Sequence, residues 1–100
     1  MSNTGVIPQG DLDEIVALRR DIHRHPELSG EEEQTAGRIE TALAGLGLAS
    51  RRVGGTGVVA DIPGEMSGPI VALRADLDAL PIHEETGLSF SSATDGVMHA

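Results

Sequence analysis

The chain has 100 residues, 39% of them apolar, with one aromatic residue (Phe90), no cysteine, and seven basic residues that are all arginine. Sixteen acidic residues leave a formal charge of −9 and no basic stripe, which argues against a nucleic-acid partner, and no apolar run approaches the roughly 18 residues of a membrane span. Such a length makes one small domain or a piece of a larger one, and a core of Ala, Val, Ile and Leu buries little area per residue, which disfavours independent stability.

Residues 1 to 10 mix Ser, Asn, Thr, Gly, Pro and Gln without periodicity, which predicts a flexible leader. They lack the charged start and apolar stretch of a signal peptide, so the cytoplasm is the expected compartment. A helix is predicted from Asp11, where Asp11 and Glu14 match a capping box and Leu12, Ile15, Val16 and Ile22 fall largely on one face. Arg19, Arg20 and Arg24 near its end suit the helix dipole, and Pro26 stops it. Ser29 and Glu32 match a second capping box, followed by Ala36, Ile39, Leu43 and Leu46 at helical spacing up to a Gly45/Gly47 exit.

Residues 49 to 53 read as a short strand, Gly54-Gly55-Thr56-Gly57 as a turn, and residues 57 to 63 as the returning strand around Val58 and Val59. After a loop over residues 64 to 69, the run Pro69-Ile70-Val71-Ala72-Leu73-Arg74-Ala75-Asp76-Leu77-Asp78-Ala79-Leu80-Pro81 predicts a third strand, covered on both faces, whose end carries Arg74, Asp76 and Asp78 on one side. Open α/β sheets place ligand sites at such carboxyl ends. Residues 81 to 100 are mixed, with loops around Gly87 and Gly96. The order of two helices and then three strands defines an α/β class. Three strands and two helices can cover one side of a sheet, so the buried character of residues 70 to 73 asks for further elements and predicts a fragment.

Several local motifs resolve into ordinary structure. Gly55-Thr56-Gly57-Val58-Val59-Ala60 matches a dinucleotide-binding string, but no helix follows to point its N–H groups at a pyrophosphate, and a hairpin turn is the better reading. His83-Glu84 cannot extend to His-Glu-x-x-His because position 87 is Gly. His23 and His25 diverge if they are helical, so a histidine bonded to the last helix carbonyls is preferred to a metal pair. For Asp76 and Asp78 two readings stay open. In one, Asp76 pairs with Arg74 and Asp78 turns the chain; in the other, both serve a site in which partners or a metal offset their desolvation.

Five blocks taken together carry a resemblance: Leu18-Arg19-Arg20-Asp21-Ile22-His23-Arg24-His25-Pro26-Glu27-Leu28-Ser29, then Gly54-Gly55-Thr56-Gly57-Val58-Val59, then residues 72 to 82, then Glu84-Glu85-Thr86-Gly87, then Gly96-Val97-Met98-His99-Ala100. In this order and spacing the chain resembles the start of a metal-dependent N-acyl-amino-acid amidohydrolase, of the hippurate hydrolase and auxin-conjugate hydrolase branch of the aminoacylase/carboxypeptidase metallopeptidases. The resemblance implies the N-terminal part of an α/β sandwich catalytic domain, with residues 11 to 100 an incomplete portion of it. It implies a centre of two divalent ions (zinc, manganese, cobalt or nickel) that activates water against the amide bond of N-acyl or N-aroyl amino acids. The family's ligands, in a Cys-Gly-His-Asp segment and further on, fall beyond Ala100, so residues 1 to 100 alone are expected to be inactive.

Within the chain the resemblance assigns Asp78 the role of a carboxylate that orients a metal ligand. Asp76 stands where the wider clan has a ligating His and is a candidate ligand only on that ground. The same resemblance implies a homodimer formed through a smaller lid domain and a small-molecule substrate, with no nucleic-acid or membrane partner. The alternatives are a noncatalytic interaction module and a deacylase or aminopeptidase of the same clan, against which Asp at position 76 argues.

Overall fold

The computed structural model describes residues 6 to 100. Helix α1 spans Gln9–Arg24, and its N-cap is Pro8 with no side-chain cap. The predicted Asp11 capping box does not form, because Asp11 already lies in the first helical turn, where its charge complements the dipole. Of the predicted leader, Gln9 and Gly10 are helical, whereas residues 1 to 5 lie outside the described part. The helix ends before Pro26 as expected. The His25 N–H reaches the Asp21 and Ile22 carbonyls, and its Nδ1 donates to Asp21 O at 3.0 Å, a histidine closing the helix's free acceptors.

Helix α2 spans Glu33–Gly45. Its end is a Schellman motif built on Gly47 at φ 77°: Gly47 N–H bonds Ala44 O and Leu48 N–H bonds Leu43 O. Its start departs from expectation. Ser29 makes no cap, and the first-turn donors are instead taken by Glu27 from the preceding link, whose carboxylate accepts from Gln34 N–H (3.2 Å), Thr35 N–H (2.6 Å) and the Thr35 hydroxyl (2.6 Å). Burial pushes the Glu27 carboxyl up, but the Thr35 hydroxyl, the two N–H groups and the Arg38 charge outweigh it and hold the group below its ordinary value. Glu32, the other half of the expected box, is itself buried and accepts from the Thr56 hydroxyl at 2.6 Å, tying α2 to the hairpin turn.

Strands β1 (Ser50–Val53) and β2 (Gly57–Ala60) form the predicted antiparallel hairpin, with Ser50 opposite Ala60 and Val53 opposite Gly57. The turn places Gly54 and Gly55 at positive φ, and Gly57 is required because a Cβ there would stand 2.6 Å from Val53 O. This is the hairpin reading of the glycine string, and no helix follows it. β2 stops at Ala60 rather than running to residue 63. Arg52 fastens the hairpin to α2 through Glu40 (2.7 Å) and Glu33 (3.1 Å).

The predicted third strand is not present. Residues 61 to 78 have no regular secondary structure, and Ile70, Val71 and Leu73 are 97%, 82% and 99% exposed. A strand needs a partner for its N–H and C=O groups and cover for both faces. The described residues offer a two-stranded hairpin and no sheet edge beside this run. Order resumes at Ala79, which is buried and bonds Glu27 O, and Leu80 pairs with Met98 in an isolated antiparallel bridge. Among the described Ala, Val, Ile, Leu, Met and Phe residues only Ala36 and Ala79 are buried, and the radius of gyration of 15.5 Å exceeds the roughly 13 Å of a compact 100-residue domain.

Candidate functional site

The link after α1, the Leu80–Met98 bridge and the 84–92 loop converge on the last turn of α1. There the His23 ring meets Glu84, 61 residues away in sequence, at 2.9 Å from Nε2 to Oε1. Glu84 also accepts from the Thr86 hydroxyl and from Ser92 N–H at 2.8 Å. The Thr86 and Ser92 bonds, opposed by burial and aided by His23, bring its carboxyl down to about 2. An ionised carboxylate only accepts, so His23 carries its proton on Nε2.

The same ring packs edge-on against Phe90 (5.7 Å, 79°), over which the Arg20 guanidinium lies at 4.8 Å. His99 lies on the other strand of the bridge, its ring 6.3 Å from that of His23. Burial, then the charge of His23, lowers the His99 pKa against the pull of Asp78, which favours a neutral imidazole. Its Nε2 is buried and has no hydrogen-bond partner.

The carboxylates expected at the strand end separate. Asp76 is exposed and pairs with the equally open Arg74 at 3.1 Å, the structural reading of that residue. Asp78 is half-buried and close enough to His99 to act on its charge. The two histidines of the H-x-H pair diverge, His23 to Glu84 and His25 to Asp21, and His83 bonds exposed Asp95. Among the described residues no group of three or more His, Asp or Glu side chains converges to hold a metal ion. These residues do not make a metal centre by themselves. The pairing of His23 with Glu84 was not legible in sequence. The nearest signal was Thr86 two residues after Glu84, a spacing at which a hydroxyl can fix a carboxylate.

No family model matches the chain. It is 49% identical over 88 residues to the N-acetyl-L-cysteine deacetylase of Bacillus subtilis, covering 87% of this chain and 21% of that protein. It is 47% identical over 88 residues to an N-acyl-L-amino acid amidohydrolase of Geobacillus stearothermophilus, covering 87% of this chain and 24% of that protein. Among solved structures it is similar to a dinuclear metal-binding peptidase of the M20 family from Bacillus subtilis, with a TM-score of 0.86 and 42% identity over 92% of this chain and 26% of that one. The chain thus spans about a quarter of the length of these relatives. These relatives include a deacetylase and an amidohydrolase, and the chain's helices and hairpin match the N-terminal part of the M20-family peptidase domain.

Proposed function

We propose that these residues are the first part of the catalytic domain of a metal-dependent amidohydrolase that cleaves the amide bond of N-acyl or N-aroyl amino acids. The observation that carries this reading is the agreement of nearly the whole chain, in sequence and in fold, with hydrolases of N-acyl amino acids and with a dinuclear metal-binding peptidase. The divalent ions (zinc, manganese, cobalt or nickel) would be held mostly by ligands that follow the Gly96-Val97-Met98-His99-Ala100 block in the longer polypeptide, as the family resemblance implies. Asp78, half-buried beside His99, is the carboxylate that fits a supporting role there, and exposed Asp76 is not. The hippurate hydrolase branch, a homodimer and a cytoplasmic location belong to the same reading. The deacetylase among the relatives favours an acetyl group as a second choice of acyl group.

The test compares residues 1 to 100 with the longer polypeptide that carries them, each stripped with chelator and reloaded with one metal, on hippurate and on N-acetyl amino acids. Metal-dependent hydrolysis by the longer protein, lowered by Asp78→Ala and absent from residues 1 to 100, is the expected result. Hydrolysis by residues 1 to 100 alone, or none by the longer protein, overturns it.

A further inference from the structure

Glu84 is the least exposed member of any ion pair among the described residues, its side chain 5% exposed against 16% for His23. It takes three donors, and the loop that carries it is also closed by backbone bonds. Ala93 N–H already bonds Arg24 O at 2.8 Å, and Leu80 and Met98 exchange two backbone bonds of 2.9 and 3.0 Å. What the His23 bond adds is a fixed ring. With Nε2–H committed to Glu84 and its edge against Phe90, the imidazole has one orientation.

That ring neighbours His99, whose Nε2 is buried and unpartnered, so the ring is placed by packing and not by a bond to that atom. A buried polar atom without a partner is unfavourable, and a group arriving from outside the described residues would relieve that cost. We propose that Glu84 and His23 are positioning residues: Glu84 orients His23, and the His23 ring fixes where the His99 imidazole stands beside Asp78, with its buried Nε2 left for a neighbouring side chain of the centre. The catalytic consequence rests on the amidohydrolase reading, and the geometry does not.

Four variants of the longer polypeptide test it. His23→Phe keeps a ring and removes the N–H, Glu84→Gln keeps the shape and removes the charge, and His23→Gln returns an N–H near the Nε2 position. Arg52→Met loosens the hairpin away from this cluster and serves as a control for destabilisation. Imidazole nitrogen–proton correlation spectra are expected to show His23 protonated on Nε2. The His99 ring signals should move in His23→Phe and Glu84→Gln and stay in place in Arg52→Met.

In hydrolysis of an N-acetyl amino acid, kcat should fall about 10- to 100-fold in the first two variants, the scale of a catalytic group misplaced by under 1 Å. KM should stay within about twofold, His23→Gln should recover most of the loss, and Arg52→Met should leave kcat per folded enzyme unchanged. Unmoved His99 signals in His23→Phe, or a kcat loss no greater than that of Arg52→Met, overturns the proposal. A wild-type protein inactive on every N-acyl amino acid refutes the amidohydrolase reading alone, and the spectra still decide the positioning.

Discussion

Replacing Glu27 by Ala should loosen the start of α2, although Glu27 lies outside that helix. Its carboxylate takes three donors, two of them from Thr35, which is fully buried and has no route to water. Each Thr35 donor left unpaired costs about 1–3 kcal/mol, and the lost charge at a helix N-terminus adds about 0.3–1 kcal/mol. The Gln34 N–H is exposed and can turn to solvent. Together these give about 2–7 kcal/mol, whose lower end is already roughly a 30-fold loss of protection at 1.36 kcal/mol per decade. Hydrogen exchange of the α2 amides reads this directly. Ser29→Ala is the control, because the sequence pattern makes Ser29 the cap whereas the structure leaves it exposed and without a capping bond. Less than a threefold change in Glu27→Ala, or an equal change in Ser29→Ala, would refute the assignment of the cap to Glu27.

Two further outcomes are expected. Gly57→Ala should lower the urea midpoint by the equivalent of about 1–3 kcal/mol, since its Cβ would meet the Val53 carbonyl at 2.6 Å, whereas Gly37→Ala, with open space around the site in a helix interior, should raise stability by about 0.5–1 kcal/mol; a gain at both positions would contradict the hairpin geometry. The Glu84 carboxyl lies well below its ordinary value of 4.5, at about 2, so its contribution to stability is fully present above pH 4.5 and is lost as the pH falls towards 2. Unfolding measured across that window should show a slope that Glu84→Gln flattens.

Much of the architecture was readable because its signals are local. The apolar spacing of α2, the glycine that must take positive φ after Gly45, and the β-branched pair after a glycine turn each act within a few residues, and each appears where the pattern put it. The caps were misplaced because a capping-box pattern cannot register a carboxylate arriving from outside the helix: Glu27 reaches Thr35, eight residues away, ahead of Ser29. The run from residue 69 to 81 carries a strand's composition, but strand is a property of a pair. With no adjoining edge among the described residues, Ile70 and Leu73 face solvent.

The candidate site lay furthest from view. Glu84 and His23 each have an ordinary local reading, and only the return of the chain across the end of α1, through the bonds at Arg24, Glu27 and Leu80, joins them over 61 residues. Periodicities, turns and family likeness are legible in the residues alone, because they depend on residue type and spacing. Tertiary structure alone decided which carboxylates are buried, which donors they take and which histidine nitrogen is left without a partner, because those depend on distances that sequence spacing does not set.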